Sequence, residues 1–223
     1  TAADEMFVRH RRLLDQVAAR YKVSPRIIVA AWGLESNFGQ TSGTQPIIAA
    51  LATLAWDPRR STLFRRELFN ALEILNRGDI ELVNMRGSWA GAMGQPQFMP
   101  SSYLSFAQDF DGDGRRDIWS SSADVFASIA NYLQAHHWTD GERWGREVTV
   151  SAEAKSRIAT DVERRNGSCG ARRDMTVALP MARWQELGVR LPGGLGLPDS
   201  TLDAALVSGN ARQFLVYRNY EAL

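Results

Sequence analysis

Ser24-Pro25-Arg26-Ile27-Ile28-Val29-Ala30-Ala31-Trp32-Gly33-Leu34-Glu35-Ser36-Asn37-Phe38-Gly39 reads as one helix with both ends marked. Ser24 suits the N-cap, and Pro25 suits the first turn, where its missing N–H is not needed. Gly39 marks the stop. Glu35 follows Ala31 and Trp32 by one turn and Ile28 by two, which places a carboxylate on an apolar face. Burying a carboxylate is costly unless it is paired or protonated. Desolvation and the negative end of the helix dipole both favour the neutral form. A carboxyl held protonated near neutrality can serve as a general acid. The same pattern fits a structural glutamate bonded to a neighbouring turn, and the helix alone does not choose.

Around this helix, residues 1–138 read as helices with well-marked stops. Met6 to Tyr21 carries Phe7, Leu14, Val17 and Tyr21 close to a helical period. A helix from near Thr62 carries Phe64, Leu68, Leu72 and Leu75 and ends at Gly78, after which Asp79 is placed to cap a short helix to Met85. Residues 86–100 are glycine-rich and irregular. A short helix from Ser101 or Ser102 leads into an aspartate-glycine loop, and Ala123–His136 forms the last strong helix. Beyond Trp138, Glu147–Val150, Met175–Leu179 and Phe214–Tyr217 look like short strands. The expected class is α+β, mainly α. Residues 1–139 form a helical region, 140–213 a small β-containing subdomain, and 214–223 a segment returning toward the core.

The loop places Asp109, Asp111 and Asp113 at positions 1, 3 and 5 of an EF-hand-like pattern, with Gly114 at 6 and Asp117 at 9. Position 7 offers the backbone carbonyl of Arg115. Ser120 stands where a bidentate glutamate would be expected at position 12. Closely spaced carboxylates suit a hard cation, calcium more than magnesium, which prefers to keep its waters. A solvated Asp/Gly turn is the plainer alternative.

Composition bounds the rest. The 223 residues are 44% hydrophobic and 23% charged, as expected of a folded domain with a sizeable core. A net charge of +1 gives no global field for nucleic acid or anionic lipid. No apolar run approaches the roughly 20 residues of a membrane helix. The single cysteine, Cys169, excludes an intrachain disulfide and has no base partner in sequence. His136 and His137 are adjacent and point apart on a helix. Among seven tryptophans, some fill the core and others can offer flat faces to sugars.

Ala31–Gly39 resembles the catalytic helix end of lytic murein transglycosylases. Gly87-Ser88-Trp89-Ala90-Gly91-Ala92-Met93-Gly94-Gln95-Pro96-Gln97-Phe98-Met99-Pro100-Ser101-Ser102-Tyr103 resembles the second signature of the membrane-bound lytic transglycosylase B family. Leu51–Ser61 is similar to the same family, so the likeness covers about residues 25–138. It implies a lysozyme-like helical core with Glu35 as acid and then base. It also implies substrate contacts from Ser88 and Gln97, an apolar wall from Phe98, and the hydroxyl of Tyr132 pointing into the cleft. Loop and core roles are the plainer readings of these four. The family's loop is closed by a later aspartate, which here corresponds to Asp124, so the implied cation set is Asp109, Asp111, Asp113, the Arg115 carbonyl and Asp124.

The implied reaction is non-hydrolytic cleavage of the β-1,4 bond between N-acetylmuramic acid and N-acetylglucosamine. It forms 1,6-anhydro ends with no catalytic cofactor, and the cation is structural. Expected partners are peptidoglycan strands. A periplasmic, monomeric protein is expected, with outer-membrane association through a lipid anchor absent from this chain left open. Family members continue past Phe214–Leu223 into a Tyr-Asn motif and a final helix, so 214–223 reads as incomplete. Two rivals stand beside this reading. One is a hydrolytic lysozyme recruiting Asp57 or Glu67 as second carboxylate. The other is a non-catalytic, calcium-dependent glycan-binding module.

Overall fold

The structure is a computed structural model that describes residues 1–166, 174–209 and 211–223. It divides into two compact units, Thr1–Asp140 and Gly141–Leu223. Among the described residues, no helix is long and apolar enough to cross a membrane.

The first unit holds α1 (Ala2–Arg9), α2 (Arg11–Tyr21), α3 (Pro25–Ser36), α4 (Ile47–Trp56), α5 (Ser61–Arg77), α6 (Pro100–Phe106) and α7 (Ser122–Ala135). The continuous helix expected from Met6 to Tyr21 is broken at His10. A periodic apolar pattern cannot reveal this, because the cause is tertiary. The His10 ring meets Trp32 and Phe126 edge-on, with centroids at 5.6 and 5.3 Å. No short helix follows Asp79 either, since 79–85 is turn and bend. The Asp79 carboxylate instead accepts from Arg116 Nη2 at 2.6 Å.

Two helices set the core. α7 is buried around most of its circumference, through Val125, Phe126, Ala127, Ser128, Ile129, Ala130 and Leu133, which marks it as a central element. The other, α4, was not foreseen as a helix. It pairs with α5 and supplies Ile47 and Leu51 to a cluster with Phe64, Ile74, Met93, Phe98 and Tyr103. Two-residue strands β1 (Gln45–Pro46) and β2 (Arg86–Gly87) pair antiparallel and tie the segment after α3 to the glycine-rich stretch.

Inside this core sits Glu67 of α5, 2% exposed. Its carboxylate accepts from Ser101 N and Ser101 Oγ, each at 2.8 Å. A buried charge survives when its lone pairs are filled, and here it also meets one orphan amide at the start of α6.

The second unit is a three-stranded antiparallel sheet in the order β3 (Gly145–Val148), β5 (Gln213–Val216), β4 (Ala205–Ser208), with α8 (Ala152–Asp161) and α9 (Met181–Glu186). Trp184 is fully buried and its indole donates to the Ala204 carbonyl. Segment 214–223 belongs to this unit. Its strand is the central one of the sheet and runs into a 3-10 turn, Arg218–Ala222. The expected strand at 175–179 is reduced to isolated bridges at Thr176 and Leu179. The Thr176 hydroxyl accepts from Leu206 N, where a backbone carbonyl would otherwise continue a ladder. Cys169 lies outside the described residues.

Replacing Glu67 by Ala strands the α6 amide of Ser101 in the core, and leaving such a donor unpaired costs about 1–3 kcal/mol. Urea denaturation of Glu67→Ala is expected to show that loss as a lower midpoint.

Candidate active site

Glu35 sits in the last turn of α3, whose buried residues are Ile28, Val29, Trp32 and Ser36. It lies at the edge of that stripe rather than on it, so the expectation of a carboxylate inside the apolar face is corrected: the residue is open to solvent. Its surroundings still desolvate the carboxylate enough to push its pKa above the ordinary glutamate value, and burial is the sole cause of the shift. Among the described residues, no hydrogen bond or ion pair engages this carboxylate. Desolvation without a compensating partner shifts such a group toward its neutral form.

Beyond Glu35 the chain turns sharply. Asn37, Phe38 and Gly39 are successive left-handed residues with φ of 47°, 58° and 82°. Two of them carry side chains, and such conformations persist only where the surroundings enforce them. The Phe38 amide donates to the Trp32 carbonyl, and Ser36 Oγ accepts from the Gly39 amide at 3.0 Å. The Phe38 ring meets Trp32 edge-on at 5.3 Å and rests against Gly33, where an added Cβ would lie 2.7 Å from the ring. A glycine at 33 is therefore what allows the turn to fold back on the helix.

The glycine-rich stretch closes onto this helix end. Trp32 Nε1 donates to Gln95 Oε1 at 2.7 Å, and Gln95 Nε2 donates to the Trp119 carbonyl at 2.8 Å. Gln97 has a positive φ of 55° and donates to the Ser42 and Gly94 carbonyls. Its Nε2 is thus committed within the protein, and its Oε1 faces no protein donor among the described residues. Ser88 is half-buried, and its Oγ accepts from the Ala92 amide. Phe98 is in the core, 5.6 Å from the half-buried Tyr132, which itself stacks on His136 at 4.0 Å. Trp89, next to Ser88, is 73% exposed and borders a cavity of about 350 Å³ that also takes in Leu54, Asp57, Arg59 and Phe64.

Gln95 was missed. Its neighbour Gln97 drew attention through the signature, and no spacing rule pairs Gln95 with Trp32, 63 residues away.

The aspartate loop brings Asp109, Asp111 and Asp124 together, with one oxygen of each within 4.8 Å of the others. That is the span across a cation whose oxygen ligands lie about 2.4 Å away, so the donor set fits a hard divalent ion. Asp124 is fully buried, caps backbone amides of Phe110 and Asp117, and is pushed up to about 6 by desolvation. Asp113 departs from the expected set. It accepts from the Arg115 amide and pairs with the Arg115 guanidinium at 3.5 Å, outside the cluster. Asp117 likewise turns to Trp119 and Ser120.

The first unit thus ends α3 in a partly desolvated glutamate, unpaired among the described residues, on a helix end that the glycine-rich stretch holds through Gln95. The whole chain, residues 1–223, matches the transglycosylase SLT domain family, and it belongs to that family. It is 44% identical over 137 residues, 61% of its length, to membrane-bound lytic murein transglycosylase B of Escherichia coli, of which it covers 37%. Its fold superposes on SltB3 from Pseudomonas aeruginosa, solved with NAG-NAM-pentapeptide, with TM-score 0.84 and 39% identity, covering 99% of this chain and 56% of that one. It also superposes on Escherichia coli lytic transglycosylase Slt35, solved with calcium, with TM-score 0.78 and 29% identity, covering 99% of this chain and 66% of that one. The fold is the mostly helical one of these enzymes, with small antiparallel sheets. The chain spans little more than half of SltB3 and less than half of the curated relative.

Gly33→Ala places a methyl into the Phe38 ring, and overpacking of this kind costs about 1–3 kcal/mol. A thermal melt followed by near-UV circular dichroism is expected to show a lower midpoint together with an altered Trp32/Phe38 signal.

Proposed function

We propose that this chain carries the catalytic core of a lytic transglycosylase that cleaves the β-1,4 bond between N-acetylmuramic acid and N-acetylglucosamine without water. The observation that carries the reading is Glu35, an acid raised by desolvation alone and left without a protein partner among the described residues. A group so placed can give a proton to the leaving glycosidic oxygen. The substrate's N-acetyl carbonyl then holds the anomeric carbon in place of a second carboxylate, one of the recognised exceptions to the paired-carboxylate scheme. Glu35, now ionised, takes the proton of the muramoyl 6-hydroxyl as that oxygen closes a 1,6-anhydro ring. The acid is thereby restored and no water is consumed.

Two further observations favour this over hydrolysis. Asp57, one candidate for a second carboxylate, is fastened to the Arg59 side chain and backbone, which holds it down to about 2. Glu67, the other, is spent on Ser101 in the core. Ser88 Oγ and Gln97 Oε1 offer polar contacts for N-acetyl and hydroxyl groups, and Phe98 and Tyr132 form an aromatic wall behind them. The peptidoglycan fragments bound by SltB3 support a glycan strand as substrate. That reading places the protein in the periplasm.

The cation reading is kept separately. Asp109, Asp111 and Asp124, with the Arg115 carbonyl as a further oxygen, would hold a calcium ion, and the calcium complex of Slt35 supports that choice. The ion would neutralise three crowded carboxylates and fix the loop, leaving the chemistry to Glu35.

Glu35→Gln keeps size and polarity but cannot transfer the proton. Its expected result on purified peptidoglycan is loss of cleavage, while the wild-type protein yields anhydro-muramoyl ends by mass spectrometry. Reducing-end products instead would establish hydrolysis.

The stability sign is opposite to the activity. A folded pKa raised above the unfolded value gives stability that is present at low pH and lost as pH rises through the folded value. Glu35→Gln is therefore expected to melt higher than wild type at pH 7 and alike at pH 4. For the loop, calcium at about a hundred times its dissociation constant adds about 2.7 kcal/mol. The corresponding rise in melting midpoint is expected to disappear in Asp109→Asn.

A further inference from the structure

We infer that Gln95 is a positioning residue for the acid, clamping the end of α3 on both sides of Glu35 to the segment Ile118–Trp119. The inference rests on the reading of Glu35 given above and adds a residue to it.

Gln95 makes three hydrogen bonds to two distant parts of the first unit. Its Oε1 accepts from Trp32 Nε1 at 2.7 Å, its Nε2 donates to the Trp119 carbonyl at 2.8 Å, and its backbone amide donates to the Ile118 carbonyl at 2.9 Å. The amide orientation follows from chemistry. An indole N–H only donates and a carbonyl only accepts, so a flipped amide would lose both side-chain bonds. Trp32 precedes Glu35 by three residues, on neighbouring positions of the same helix face. The same amide also packs against Gly39, four residues after Glu35, where an added Cβ would lie 2.5 Å from Oε1. One side chain therefore touches the acid's helix one turn before it and the strained turn just after it.

That turn needs an external hold. Asn37 and Phe38 sit at φ 47° and 58°, conformations that cost of order 1–3 kcal/mol each when a side chain is present. The Trp32 bond before the helix end and the Gly39 contact after it bracket that turn from one side chain. A loosened end would tilt Glu35 and expose it further to the water it already meets, and a displacement of about 1 Å in a reacting group can cost a hundredfold in rate. The clamp acts on geometry and hydration of the acid, so its removal should reach kcat and the pH profile before it reaches substrate affinity.

Gln95→Met removes both side-chain bonds at similar volume, while Gln95→Glu keeps the acceptor for Trp32 and loses the donor for Trp119. Steady-state cleavage of a defined glycan oligomer, with pH–rate profiles, is the test. For Gln95→Met the expected result is kcat lowered roughly tenfold to a hundredfold, KM within about twofold, and the alkaline limb moved to lower pH. Gln95→Glu is expected to recover part of kcat. A folded Gln95→Met protein with wild-type kcat and pH profile, or one whose loss lies only in KM or in melting midpoint, overturns the inference. Glu35→Gln assayed in parallel separates the two readings, because continued cleavage by that variant sinks the acid assignment itself. In that event the 15N-indole resonance of Trp32 decides the clamp alone. Faster solvent exchange in Gln95→Met upholds it, and unchanged exchange refutes it.

Discussion

The hydrogen bond from the Trp32 indole to Gln95 joins parts of the first unit that sequence keeps 63 residues apart. Trp32 is itself almost fully buried, held edge-on by His10, Phe38 and Phe126. Its ring thus fixes α3 to the break between α1 and α2, to α7, and through Gln95 to the glycine-rich stretch. A buried indole N–H without an acceptor would carry a desolvation penalty of about 1–3 kcal/mol, so the pairing also enforces itself. The strained turn at 37–39 can exist because this cluster surrounds it. The position of Glu35, between the two contacts of Gln95, depends on the same cluster.

Much of this was legible in the sequence where the signal was local. The end of α3, the helix closing at Gly78 and the helix after the aspartate loop follow from caps, periods and turn residues, and the strands expected at 147–150 and 214–217 appear shifted, at 145–148 and 213–216. What was not legible depends on distant partners. The break at His10 answers to Trp32 and Phe126. Asp79 looked like a cap and is instead an ion-pair partner of Arg116. Helix α4 begins directly after Pro46 and is apolar along most of its length, and a short apolar run of that kind does not declare its period.

The site was legible in the same uneven way. Glu35 stood out as a carboxylate among apolar residues, yet Ser88 and Gln97 stood out only through the family signature. Their local chemistry is modest: Ser88 Oγ caps a turn amide and Gln97 Nε2 binds two carbonyls. Spacing rules recognise metal loops because the ligands are close in sequence, which is why Asp109 and Asp111 were found. Asp113 has the same spacing, but its carboxylate lies outside the group formed by Asp109, Asp111 and Asp124 and turns to Arg115. A cross-chain amide such as Gln95 obeys no spacing rule at all.

The acids of the first unit make the functional contrast sharper. Glu67, Asp79 and Asp124 are all more deeply buried than Glu35. Each is satisfied: Glu67 by two Ser101 donors, Asp79 by the Arg116 guanidinium, Asp124 by two backbone amides. Burial without a partner is what a fold selected for stability alone would remove, either by pairing the group or by exposing it fully. Glu35 has neither remedy. Partial desolvation raises its pKa, it is open enough to meet a ligand, and among the described residues no internal donor holds it ionised. A structural glutamate at that position would gain by a nearby arginine, and this chain is rich in arginine placed elsewhere. Among the described residues that place is unfilled, and under the function proposed above it falls to the oxygen of a bound ligand, which would accept the proton's hydrogen bond only when present.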